Sequence, residues 1–230
     1  LGLYFCRSVF SNFAWKMWQQ IMDRSRLIRM AQVNGDILIR SVLLQAGFVS
    51  FLFFGANLGD VTLAANQVLL QFVHVASYSM DGFVFAGEAL VGQAVGARAL
   101  AELRRAAIVT AVWAFSAGII IALVVWFAGP FFIDLMAKDE NVQAAARFYI
   151  PHVALVPILG AMAWMLDGVF IGATRTKDMR NMMIISFLGY CIFIALLLPS
   201  FGNHGLWIAM NGFFILRGLT LAFRYPALEH

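Results

Sequence analysis

Four side chains that can hydrogen-bond or exchange a proton, Gln67, His74, Asp81 and Glu88, recur at every seventh position of the mostly apolar run Leu63–Arg98. Seven residues is close to two helical turns, so on a helix the four fall near one line. At ~1.5 Å per residue the line runs for roughly 30 Å, the thickness of a bilayer's hydrocarbon core. Ionisable groups at that depth are costly and face a bundle interior or a water-filled cavity. The stripe therefore predicts neighbouring helices with a polar path between them.

Within the stripe, Glu88 lies between Gly87 and Ala89. Burial favours the neutral form of a carboxyl, and such a group can take up a proton on one side of a membrane and release it on the other. A structural carboxyl that fixes helix packing is the other reading. Asp81 precedes Gly82, where a distorted turn would bare carbonyls able to ligate a cation; hydrogen bonding to local backbone is its alternative. Asp167 has the same Asp-Gly context and is read as a third coupling candidate or as an interfacial charge near Arg175. His74, Gln67, Gln45 and Asn211 either line a polar cleft or join helices by hydrogen bonds. Met165 is placed with them as a cleft-lining candidate, because sulfur suits bulky apolar cations, although ordinary core packing gives it the same spacing. Arg40 and Arg217 read most simply as snorkelling residues near span ends. Gly92 and Gly96 form a G-x-x-x-G pair that, with Gly82 and Gly87, lets another helix approach.

The elements that must position these groups follow from composition. Of the 230 residues 62% are hydrophobic and 12% charged, and the mean hydropathy is +0.84. A soluble domain carries about twice that charged fraction. The chain reads as an all-α polytopic membrane bundle, and its net charge of +4 belongs to loops rather than to a nucleic-acid site. Six complete spans are expected, at 37–57, 63–98, 107–127, 148–173, 182–198 and 206–225. Gly129-Pro130 is expected to end or bend the third, and Pro151, Pro157 and Gly160 to break the fourth. Lys16, Arg24, Arg26 and Arg29, then Arg98, Arg104 and Arg105, then Arg175, Lys177 and Arg180, then Arg224 fall in alternate connections, while the others hold only Lys138 and Arg147. This alternation predicts that the basic loops and the C-terminus are cytoplasmic.

Residues 1–15 read as the end of a truncated membrane helix, 16–36 as a basic cytoplasmic loop or interfacial helix, 37–225 as a six-helix lobe, and 226–230 as a tail with a vector junction leading into a histidine tag. Cys6 and Cys191 read as free, packed thiols. The segments from Asp81-Gly82 and from Asp167-Gly168 echo each other, each helix running into a Gly-Ala-containing basic loop, as an internal repeat would. No Ser-His-Asp, His-Glu-x-x-His or paired-Asp arrangement lies within the spans, which argues against an intramembrane enzyme. A transporter and a non-transporting membrane scaffold remain.

Three stretches, LGDVTLAANQVLLQF at Leu58–Phe72, DGFVFAGEALVGQAVGAR at Asp81–Arg98 and LDGVFIGATRTKDMRN at Leu166–Asn181, resemble the multidrug and toxic compound extrusion (MATE) family, in its DNA-damage-inducible F (DinF-like) branch. The resemblance covers most of the chain and the second half of such a transporter. It implies twelve helices in two six-helix lobes around a cleft, with this chain supplying the end of helix six and helices seven to twelve. Asp81 and Glu88 would then lie on helix eight and Asp167 on helix ten. It implies antiport of organic cations or drugs against H+ or Na+ across the inner membrane, with no cofactor beyond that ion. Membrane lipids and the N-terminal lobe would be the partners. The acidic residue of the first lobe that the branch is thought to use for proton coupling has no counterpart in this sequence. A lipid-precursor flippase of similar architecture is the alternative.

Overall fold

The computed structural model describes residues 23–228; the readings made for 1–15, for 16–22 and for the last two residues lie outside that range. Six α-helices succeed one another, α1 (Arg24–Ala56), α2 (Asp60–Gly96), α3 (Leu100–Met136), α4 (Glu140–Gly172), α5 (Thr176–Phe201) and α6 (Asn203–Arg224), and a 3-10 turn (Tyr225–Leu228) closes the series. No strand occurs among the described residues. All six are long and apolar enough to cross a membrane. The longest have 37 residues, which at ~1.5 Å per residue exceeds a ~30 Å hydrocarbon core. The chain up to Gly35 clusters as a unit of its own, and the helix bundle is the unit from Asp36 onward.

Helix α4 sits at the centre of the bundle. Ala163 through Phe170 are buried without a break, so this stretch, apolar or small on every side except at Asp167, must be surrounded. It packs against α2, α3 and α6; α2 also packs on α3, and α5 on α6. The α2–α4 seam is the closest. A Cβ at Gly168 or Gly172 would collide with the backbone carbonyls of Val84 and Glu88 respectively. The G-x-x-x-G device is thus Gly168/Gly172 on α4. On α2, Gly82 and Gly96 face open space, and Gly92 meets the Gly172 carbonyl at an ordinary 3.6 Å. Small residues were the right signal, but spacing on one helix does not say which pair meets a partner.

Pro130 does not end α3, which runs on to Met136, and α4 continues through Pro151 and Pro157. A proline removes one helical hydrogen bond, which a membrane bundle tolerates where the freed carbonyl finds protein or water. Gly118 packs directly on the Pro157 carbonyl, fitting α3 to α4 there. Between α5 and α6 the link is Gly202 alone, at φ 53° and ψ −130°, a conformation open essentially to glycine.

Helices α2 and α4 end alike. At the first, the N–H groups of Arg98 and Ala99 donate to Val95 and Ala94, and at the second those of Thr174 and Arg175 donate to Ile171 and Phe170. Arg98 and Thr174 both take φ 56°, the left-handed residue that closes a Schellman-type cap. The echo between the halves therefore holds at the Gly-Ala helix ends. It fails at the Asp-Gly pairs, because Asp167 lies much nearer its cap than Asp81 does.

Far from the basic loops, a closed amide set joins α2 to α6. Asn66 and Asn203 exchange hydrogen bonds of 2.7 and 3.1 Å, and Trp207 Nε1 donates to Asn66 Oδ1 at 3.0 Å. Helix α1 is held by side chains: Phe51 meets Trp207 edge to face, Gly47 admits the Phe213 ring, and Tyr190 Oη on α5 donates to the Gly47 carbonyl at 3.1 Å.

Replacing Gly172 with leucine should lower thermal stability in detergent by about 1–3 kcal/mol, the usual cost of overpacking. Gly82→Ala, on the open face, should be neutral or stabilising by up to about 1 kcal/mol. Unfolding monitored by helical circular dichroism ranks the two.

Candidate functional site

Among the described residues, the most deeply buried ion cluster lies toward the basic end of the bundle. Asp167 on α4 is paired through Oδ2 with Arg40 Nη2 of α1 and with Arg217 Nη2 of α6, the latter at 2.8 Å. Side-chain exposure is 3% for Asp167, 1% for Arg217 and 15% for Arg40. Arg217 also lies over the rings of Phe213 and Phe214, 5.7 Å from each centroid, an arrangement that attracts a guanidinium. Neither arginine snorkels. Each is the counter-charge of an aspartate on the most enclosed helix, and a carboxylate buried there requires one. The cluster holds two cations against one anion. Asp167 Oδ1, Arg40 Nε, and Arg217 Nε and Nη1 have no protein hydrogen-bond partner.

One turn before Arg40, Asp36 pairs with Arg180 Nη1 at 2.6 Å and accepts from Thr176 Oγ1 at 3.2 Å. Asp178 pairs with Arg224 at 2.8 Å. These ties join the basic ends of α1, α5 and α6.

The stripe on α2 takes a different place. Gln67 is exposed, and it borders a hollow of about 270 Å³ shared with Lys138 and Asp139. His74, Asp81 and Glu88 are half-buried. The His74 ring meets Phe48 of α1 edge to face at 5.3 Å and stacks on Tyr78 at 6.4 Å. About two turns further along, Asp81 is level with Arg40, which lies about two turns from Phe48 on α1. The line thus drifts from the open face of α2 toward its packed flank, on the side of α1. Glu88 contributes its main-chain carbonyl to the Gly172 contact, and no described residue donates to its carboxylate. The open face beside the stripe carries Gln71, Tyr78, Ser79, Gly82 and Gln93. Between α2 and α3 it forms a hollow of about 640 Å³ lined by Gln71, Ser79, Phe132 and Met136 among others.

Gln45 is exposed on α1. Met165 and Asn211 are buried, at 7% exposure each, and line no open surface of this unit. Asn211 donates to the carbonyls of His152 and Trp207, both at 3.2 Å, so it joins α4 to α6 as an interhelical hydrogen bond does. Beside it His152 Nε2 meets His204 Nδ1 at 3.1 Å. Sequence reasoning missed Arg40 and Arg217 as partners of Asp167. The available signal was charge balance: an acid and two bases within apolar spans pair with one another more readily than each reaches an interface alone.

Removing the anion of the cluster leaves two buried guanidiniums. Asp167→Asn should therefore cost about 3–5 kcal/mol in stability, as breaking a buried pair does. Asp134→Asn, which breaks the exposed Arg147–Asp134 pair, should cost under about 1 kcal/mol. Denaturant titration of the two variants measures the difference.

The geometry agrees with what is known of similar proteins. The MatE family model matches residues 37–197. The DNA damage-inducible protein F of Escherichia coli is 37% identical over 207 residues, covering 86% of this chain and 43% of that protein. The probable multidrug resistance protein NorM of Pseudomonas aeruginosa is 31% identical over 182 residues, 73% of this chain and 36% of that one. The chain thus spans less than half the length of these relatives. A crystal structure of the Vibrio cholerae MATE transporter VcmN in its bent form superposes with a TM-score of 0.81 at 17% identity, over 92% of this chain and 49% of that one, which establishes the shared fold. The chain belongs to the MatE family of multidrug and toxic compound extrusion transporters.

Proposed function

We propose that this chain is the C-terminal lobe of a DinF-like, cation-coupled antiporter that exports organic cations or drugs across the inner membrane, the coupling ion being H+ or Na+. The observation that carries the reading is the half-buried acidic pair Asp81 and Glu88. Both lie on α2 at the border between its packed flank and an open face on which Gln71, Ser79, Gly82 and Gln93 are interleaved with exposed Val75, Tyr78, Phe85 and Leu90. With water reaching the open side of such a carboxyl, a change in its charge would alter helix packing while its ion exchanges with solution. Protonation would favour one of two conformations and substrate the other, which couples the two fluxes. Asp167 has a different role: its ion pairs with Arg40 and Arg217 suit an anchor, and the coupling step is assigned to Asp81 and Glu88.

The partner for the open face of α2 is the N-terminal lobe, with the substrate between the two and lipid around them. The basic residues Arg98, Arg104, Arg105, Arg175, Lys177, Arg180 and Arg224 all fall at one end of the helices, which supports a cytoplasmic position for that end and for the C-terminus. A flippase for anionic lipid precursors would draw on cations in the cleft. Arg40 and Arg217 are instead spent on Asp167, which favours the antiporter.

In the full-length protein, Glu88→Gln and Asp81→Asn should each weaken pH-driven efflux of a fluorescent organic cation while expression stays unchanged. Coupling energies between linked sites run to about 1–3 kcal/mol, so the gradient-dependent component should fall roughly 5-fold or more. Efflux unchanged in both variants would remove the pair from the mechanism.

A further inference from the structure

The buried cluster is unbalanced, and the imbalance points at α2. Two guanidiniums share a single carboxylate oxygen of Asp167, and Arg217 alone suffices to neutralise it. Arg217 is fixed: its side chain is 1% exposed and lies over two phenylalanine rings. Arg40 is the more exposed partner, at 15%. Asp81 is the anion that α2 sets level with it: Phe48 of α1 touches His74 of α2 at 5.3 Å, and Arg40 and Asp81 each lie about two turns from that contact toward the basic end. Facing these groups are Asp167 from α4 and Arg217 from α6. Asp36, paired with Arg180, lies one turn back on α1, and His74 and Glu88 lie two turns to either side of Asp81 on α2. Helix α3 offers no charged residue between Arg105 and Asp134. With Asp81 ionised the set Arg40, Arg217, Asp167 and Asp81 is neutral; with Asp81 protonated it carries one buried positive charge.

The two seams also differ in stiffness. Helices α2 and α4 touch backbone to backbone at Gly168 and Gly172. Helix α1 is attached through long side chains, Phe51 on Trp207 and Phe213 on Gly47. We propose that Arg40 is a charge latch between α1 and the rigid α2–α4 pair. Its guanidinium rests on Asp167 while Asp81 is protonated and is drawn toward Asp81 when that proton leaves to water, so that α1 is the helix that shifts with the coupling ion. This deepens the antiport reading and rests on it: Asp81 supplies the titration, and Arg40 converts it into movement as a positioning residue.

The test uses spin labels at Val49 on α1 and Leu155 on α4, both exposed, in full-length protein with Cys6 and Cys191 replaced by serine. Pulsed electron resonance measures their separation from acidic to alkaline pH. The separation should change with pH in the parent protein. The change should be lost in Asp81→Asn and in Arg40→Gln, and kept in Arg40→Lys. Arg40→Gln leaves the Asp167–Arg217 pair intact, and its helical circular dichroism should match that of the parent. A separation that ignores pH in the parent, or a shift that survives Asp81→Asn, overturns the latch. Efflux is measured on the same samples. Normal pH-driven efflux without a shift rejects the latch and leaves the transport reading standing; a shift without efflux rejects the transport reading and retains the latch.

Discussion

A carboxylate has been placed where only 3% of its side chain is exposed, and the lobe is assembled around that fact. Asp167 lies in the continuously buried stretch Ala163–Phe170 of α4, and its cost there is met by guanidiniums from α1 and α6. Those helices are the first and last of the six. The ion cluster therefore closes the order of the bundle, tying its sequence-distant ends to its centre. Net stabilisation by such a cluster against an apolar alternative is small. What it supplies is geometry: α1 and α6 have one register on α4 in which no charge is left bare.

Around that centre the seams are of two kinds. Glycines on α4 bring its backbone onto that of α2, and a close contact of this type has little freedom to slide. Helix α1 is instead spaced from its neighbours by aromatic rings and an arginine. Asp81 and Glu88 lie on the rigid side of this looser seam, and Arg40 lies on the other. A lobe built this way keeps its acidic groups on a fixed frame and reserves adjustment for one helix, which suits a protein that must alternate between states.

The sequence made the helices and their order plain, because apolar runs of that length with basic residues in alternate connections have few other readings. It was also enough for the family, through three long ordered stretches. The sites were less legible. Periodicity put Gln67, His74, Asp81 and Glu88 on one line, yet the line is slanted, since a seven-residue step falls about 20° short of two turns; Gln67 ends on the open face and Glu88 on the packed flank. Arg40 and Arg217 read as snorkelling because each lies near a span end, and only the packing of three helices reveals their common partner. Met165 and Asn211 had the residue types of a cleft but sit inside the unit, a distinction that depends on which face of α4 and α6 turns inward. Gly92 and Gly96 had the right spacing, and Gly168 and Gly172 had the right neighbour.

That the acidic line on α2 borders water, while Asp167 and its surroundings do not, is the claim on which antiport by this lobe depends. Single cysteines at positions 81, 88 and 165 of the full-length protein, freed of Cys6 and Cys191 and treated in the membrane with a small water-soluble thiol reagent, measure it directly. Reaction at 81 and 88 with none at 165 is the expected result. Silence at both 81 and 88, or reaction at 165 as fast as theirs, would contradict it.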